Sequence, residues 1–137
     1  DLEFVTWASV FDLKGAVDVL KTVNKDNAGV MVDTLHFYRS RVKLEELDEI
    51  PREWFHFAHI CDGPEEIPTD KESLIYTGRD ARLYVGEGAI DIASILDKLP
   101  QDTVYSIELP HIERVKEIGY AEHARRCLQT AKEYLAK

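Results

Sequence analysis

The stretch GVMVDTLHFYRSR (residues 29–41) carries an apolar run straight into a carboxylate, Asp33, and then an imidazole, His36. Val30, Met31 and Val32 are bulky and apolar, the two valines β-branched, in a run too short for a helix, the pattern of a strand covered on both faces. Such a strand hides its backbone in a core. Asp33 at its end is therefore either the cap of the next helix or the floor of a site.

Working outward, the same unit recurs. LEFVT (2–6) reads as a strand, and DLKGAVDVLKTV (12–23) as a helix capped by Asp12 with Leu13, Val17, Leu20 and Val23 on one stripe. Beyond Asp33, VKLEELDEI (42–50) gives a short helix that Pro51 ends. WFHFAHICD (54–62) is a third strand, followed by a polar loop from 62 to about 88 and the helix IDIASILDKL (90–99). TVYSIEL (103–109) is a fourth strand. The last helix is expected from about Ala121 to Leu135, with Ala124, Leu128, Ala131 and Leu135 facing the core. Four βα units with near-continuous apolar strands predict a parallel sheet covered by helices. An open doubly wound nucleotide-binding sheet loses support, because the first turn has no G-x-G-x-x-G and no G-x-x-x-x-G-K-[ST] occurs. The other solution is a (β/α)8 barrel of eight units and typically about 250 residues. The 137 residues are then one domain, residues 1–137, with half of such a barrel.

Composition narrows the function. With 45% hydrophobic and 31% charged residues the chain reads as a folded globular protein. No apolar run approaches the roughly 20 residues of a membrane span, and the N-terminus lacks the features of a signal peptide, so a cytoplasmic protein without a membrane partner is expected. The chain enters a strand almost at once from Asp1, as though a segment preceded it. A net charge of −9, with no basic cluster longer than the Arg125–Arg126 pair, argues against nucleic acid as partner. Cys61 and Cys127 form no C-x-x-C pair and sit in apolar surroundings, as reduced core thiols do.

Each unit also offers one ligand-type side chain at or near its strand: Glu3, Asp33, His59 and Glu108. In a parallel sheet the carboxyl ends of the strands share one face, so residues far apart in sequence converge there. Three carboxylates and one imidazole suit manganese, magnesium, cobalt or zinc, and differ from a structural thiolate site. Without a cation the carboxylates would repel and some would protonate. Each residue has a plainer reading: a helix cap for Asp33, a hydrogen-bonded core residue for a lone histidine such as His56, a solvated acid for Glu3. Glu108 resists one, because it interrupts an otherwise apolar strand.

Together LEFV, VMVDTLHFYRS, FHFAHICD, ARLYVGEGAIDIASIL and YSIELPHIE resemble the carboxyl-terminal half of the sugar isomerase/epimerase family of xylose isomerase-like TIM barrels. The resemblance implies a metal site of Glu3, Asp33, His59 and Glu108 holding one divalent ion, with Glu3 and Glu108 as catalytic base and acid. It also implies substrate contacts by His36 and by Arg82, which precedes the GEG loop. The plainer reading of Arg82 is a loop-pinning ion pair, and of Gly86 and Gly88 turn residues with positive φ; Glu87 is expected to shape the loop. The implied reaction is isomerisation or epimerisation of a sugar or sugar phosphate through an enediolate. A dehydratase of inosose or dehydroshikimate type would use the same intermediate, and a non-catalytic metal-binding or assembly module would keep the ligands alone. The related apurinic endonucleases need more metal histidines and a basic face. Family members have eight units and this chain four, so homo-oligomerisation or association with a missing N-terminal half is expected to cover the open sheet.

Overall fold

The computed structural model describes residues 1–136. Four strands, β1 (Leu2–Glu3), β2 (Val30–Asp33), β3 (Phe55–Ile60) and β4 (Val104–Ile107), form one parallel sheet in the order β1-β2-β3-β4. The helices are α1 (Leu13–Val23), α2 (Thr34–Arg39), α3 (Leu44–Asp48), α4 (Lys71–Asp80), α5 (Ile92–Asp97) and α6 (Ile112–Leu135). Sequential parallel order with helical crossovers is what four βα units require.

Register and pleat decide which side chains meet. Asp33 pairs with His59 and His59 with Ser106, while Glu3 pairs with Met31, two residues before Asp33. Because side chains alternate with period 2, Glu3, Met31, Asp33, Phe57, His59, Val104, Ser106 and Glu108 belong to one face. The opposite face carries Phe4, Val30, Val32, Ala58 and Ile60, all buried in the main core. Leu13, Ala16 and Leu20 of α1 bury into the same core. The first face is only partly closed: Val104 is 65% exposed on it.

Several expected elements are shifted. The 62–88 segment is not all loop. It contains α4, whose N-terminus is held by Asp70 accepting from the Ser73 N–H. On α1 the inward stripe takes Ala16, and Val23 is exposed. The last helix starts nine residues earlier than expected and is broken at Gly119, whose φ of +79° leaves the right-handed helical region. Its buried stripe is His123, Cys127 and Ala131, with Leu128 exposed. A histidine can occupy that stripe because both ring nitrogens have partners, the Leu109 carbonyl at 2.9 Å and the Tyr84 hydroxyl at 3.1 Å. His56 is exposed rather than in the core, and pairs with Asp1. Cys61 and Cys127 are free and buried.

Candidate functional site

Asp33 reconciles both readings of its position. Its Oδ1 accepts from the Leu35 and His36 N–H groups at 2.9 and 3.1 Å, capping α2. Its Oδ2 turns the other way and accepts from Arg82 Nη1 at 2.6 Å. One carboxylate thus starts a helix and faces a cluster of charges, at 0% exposure. The cap also fixes His36, three residues on, in the first turn of α2.

Around Asp33 Oδ2 the strand ends bring Glu3, Asp33, His59 and Glu108 together, with one ligand-type atom from each lying within 4.8 Å of the others. His59 Nδ1 is 3.4 Å from Glu108 Oε2 and 3.9 Å from Asp33 Oδ2. Despite that proximity it makes no well-directed hydrogen bond, and Glu3 Oε1 is likewise buried without a partner. Buried polar atoms left open in this way are what a coordinating ion satisfies. The charge agrees: three carboxylates and the Arg82 guanidinium sum to −3 + 1 = −2, which one divalent cation balances when His59 is neutral.

Arg82 is 4% exposed and reaches two acids, Asp33 and, at 2.8 Å through Nη2, Glu108. Its Nε donates to the Gly78 carbonyl at 2.7 Å. It is therefore the counter-ion of the carboxylate cluster as well as a cleft-lining group, which places the expected ion pair within the cluster itself. His36 Nδ1 lies 3.2 Å from the Thr6 hydroxyl, and the Trp7 ring meets the imidazole edge-on at 5.1 Å. Glu3, Trp7, His36, Arg79, Arg82 and Glu108 help to line a cleft of about 470 Å³ beside the cluster.

Burial and neighbouring charge separate the protonation behaviour of these groups. Burial, then the charges of Asp33 and Glu108, push the Glu3 carboxyl up to about 7. Glu108 moves down, chiefly through the His59 imidazole 3.4 Å away and then the Arg82 charge. His59 moves up with Glu108 beside it, and burial lowers His36 to about 4, leaving it neutral near pH 7. Folded Glu3 holds its proton up to about 7, whereas the ordinary value is 4.5. Its contribution to stability is present below 4.5 and is lost as pH rises through 7; the raised His59 acts in the same direction. Glu108 acts oppositely, in the acid range below its ordinary 4.5. His36, held neutral down to about 4, acts oppositely between about 4 and 6.5. The urea midpoint of chelator-treated protein is accordingly expected to fall only from about pH 6.5 toward about pH 8, and Glu3→Gln to flatten that fall. A wild-type midpoint rising over the interval would contradict the charge arrangement.

The loop bearing Arg82 is held by a residue that the sequence reading passed over. Asp62, buried at the end of the HICD segment, accepts from four N–H groups: Gly63 and Ile90 on Oδ1, Gly86 and Gly88 on Oδ2. A carboxylate directly after an apolar strand was the available signal, the same one that marked Asp33. The two loop glycines differ. Gly86 has φ +85°, whereas Gly88 is needed for close approach, since a Cβ there would lie 2.1 Å from the Gly63 carbonyl oxygen and 2.5 Å from Asp62 Oδ1. Gly88→Ala is expected to destabilise by about 1–3 kcal/mol, through backbone displacement around Asp62. An unchanged thermal midpoint would show that this approach is not constraining. Glu87 does shape the loop, accepting from the Tyr84 N–H and pairing with Arg114 at 2.7 Å.

The model of the xylose isomerase-like TIM barrel family matches residues 2–131. Inosose isomerase of Bacillus subtilis is 31% identical over 136 residues, covering 96% of this chain and 45% of the relative. Inosose isomerase of Bacillus licheniformis is 30% identical over 118 residues, covering 86% and 40%. The chain thus spans less than half the length of the curated relatives it matches. Among solved structures, the IolI protein with a binding zinc atom superposes with a TM-score of 0.76 at 28% identity, covering 98% of this chain and 46% of that one. A xylose isomerase domain protein from Alicyclobacillus acidocaldarius gives a TM-score of 0.63 at 21% identity, covering 96% and 50%, a likeness of fold. Among the described residues no helix is long and apolar enough to cross a membrane. With four parallel βα units in consecutive order and a family match over nearly its whole length, this chain belongs to the xylose isomerase-like TIM barrel family.

Proposed function

We propose that the protein is a divalent-metal-dependent isomerase or epimerase of a sugar or cyclic polyol ketone, acting by proton transfer next to a carbonyl through an enediolate. The observation that carries this reading is the convergence of Glu3, Asp33, His59 and Glu108 within 4.8 Å, with Glu3 Oε1 and His59 Nδ1 left open. The relatives named inosose isomerase and the zinc-containing IolI structure support it. In this reading the four residues hold one ion of the manganese, magnesium, cobalt or zinc class. When bound, that ion polarises the substrate carbonyl and shares the negative charge of the enediolate.

The side chains divide the remaining work. Glu108, kept ionised by His59 and Arg82, takes the proton from the carbon next to the carbonyl. Glu3 returns a proton to the neighbouring carbon or to the opposite face of the same one. The first outcome isomerises, and the second epimerises. His36, neutral because it is buried, exchanges hydrogen bonds with substrate hydroxyls without adding charge. Arg82 holds Asp33 and Glu108 in position. The partly exposed strand face around Val104 is covered in the assembled protein, by further strands of the same barrel or by a second copy.

The test is solvent exchange. Incubated with an inosose or a ketose in deuterium oxide, the manganese-loaded protein is expected to replace the hydrogen next to the carbonyl with deuterium, seen as loss of its proton resonance. Chelator should stop the exchange and added metal restore it. A metal-loaded protein that exchanges none of a panel of ketoses and inososes would overturn the reading.

A further inference from the structure

With one divalent ion on the acid cluster, the cleft beside it keeps arginine charge that none of its acids answers. Its charged lining residues are Glu3, Glu108, Arg79 and Arg82. Arg82 is committed to Asp33 and Glu108. Arg79 is exposed, and among the described residues it has no hydrogen bond and no carboxylate within 4.0 Å. A second unmatched arginine lies behind the wall: Arg39 is 4% exposed, and among the described residues neither Nη1 nor Nη2 has a partner. A guanidinium cannot shed its charge near neutrality, so burying one unpaired is unfavourable unless something answers it.

The place of Arg39 relative to the cleft is set by Gly78. A Cβ on Gly78 would lie 3.8 Å from Arg39 Nη1 and 2.5 Å from Trp7 Cη2. The bare glycine therefore lets the Trp7 indole seat against α4, with Arg39 Nη1 close to the same position, and both Trp7 and Gly78 line the cleft. The four-residue cluster together with Arg82 carries −2, which one divalent ion neutralises. Among the described residues Arg39 and Arg79 then leave +2 unanswered, in a chain whose net charge is −9.

We infer that the substrate of this site carries an anionic group, a phosphate monoester or a carboxylate, which sits against the Trp7–Gly78 wall and is held by Arg79 with Arg39 behind it. The inference rests on the isomerase reading for the reacting end of the substrate and adds the chemistry of its other end. A phosphate monoester carries about −1.5 to −2 charge near neutrality, close to the surplus, and arginine meets planar or tetrahedral oxyanions with paired N–H donors. The charged end would occupy the Arg79 side of the cleft, leaving the carbonyl end free to reach the cluster.

Isothermal titration of the metal-loaded protein with a pentulose 5-phosphate, the same pentulose without phosphate and a hexuronate separates the possibilities. At least one charged ligand is expected to bind about tenfold or more tightly than the neutral pentulose, with the preference weakening as salt is added. A preference for the pentulose phosphate alone identifies a phosphate site, and one for the hexuronate alone a carboxylate site. Arg79→Ala, at an exposed position, should remove most of the preference and leave metal content unchanged. Arg39→Met should do the same where it folds. Equal affinity for charged and neutral ligands, or a preference that survives Arg79→Ala, would overturn the inference. Because titration reads binding alone, the two readings fail separately: anion preference without solvent exchange removes the reaction, and exchange without preference removes the anion site.

Discussion

His59→Ala is expected to lower the affinity for a divalent ion by about 100-fold or more and to stop solvent exchange at the substrate carbon. His59 supplies the one nitrogen donor in a set otherwise made of carboxylate oxygens. Loss of a residue that merely supports a metal ligand already costs about 10- to 100-fold in affinity, so deletion of a ligand lies at or beyond that limit. The three remaining carboxylates would also face one another with only Arg82 between them, and Glu3, already raised to about 7, would be pushed further toward its protonated form. The fold should tolerate the change, because His59 is partly exposed and β3 is held by backbone pairing with both neighbours. Metal content by plasma mass spectrometry after dialysis, together with the unfolding midpoint of chelator-treated samples, checks both halves. Equal metal in wild type and variant would remove His59 from the ligand set. A midpoint that collapses would show instead that the residue is structural.

The architecture could be read from the sequence where local and global signals agree. Val30–Asp33 and Phe55–Ile60 are rich in β-branched or aromatic residues and end on or just before an aspartate, Asp33 and Asp62, so their strand character is local. Their parallel order follows from the helices between them. The meeting of Glu3, Asp33, His59 and Glu108 could also be anticipated, since one residue per unit at the same strand end must share a face. What escaped was decided by contacts distant in sequence. Helix α4 has little apolar surface of its own, and the interactions of Gly78 with Trp7 and with the Arg82 side chain become visible only in the fold. His123 looked polar until Tyr84 and Leu109 supplied partners from another part of the chain, which moved the α6 stripe one residue from where leucine periodicity put it. Asp62 likewise has no local signature separating it from a helix cap; the four N–H groups that it gathers include three from 24 to 28 residues away.

Asp33 is the residue at which these levels cannot be separated, and its replacement should have the largest effect on stability. Asp33→Ala removes the α2 cap, worth about 1 kcal/mol, and strips the buried Arg82 guanidinium of its 2.6 Å partner. Breaking a buried ion pair from one side typically costs about 3–5 kcal/mol, because the remaining charge stays in a poorly solvated place. The sum, about 4–6 kcal/mol, approaches the whole stability of many small domains. Arg82 retains Glu108 at 2.8 Å, which keeps the expected loss toward the lower end. Asp33→Asn separates the contributions: an amide oxygen can still accept from Leu35 and His36, so the cap survives while the charge opposite Arg82 is lost. Urea midpoints should therefore fall in the order wild type, Asp33→Asn, Asp33→Ala, with metal affinity reduced in both variants. If Asp33→Asn were as stable as wild type, the charge of Asp33 would be contributing nothing to Arg82. If it were as unstable as Asp33→Ala, the ion pair rather than the cap would be what holds the end of β2 in place.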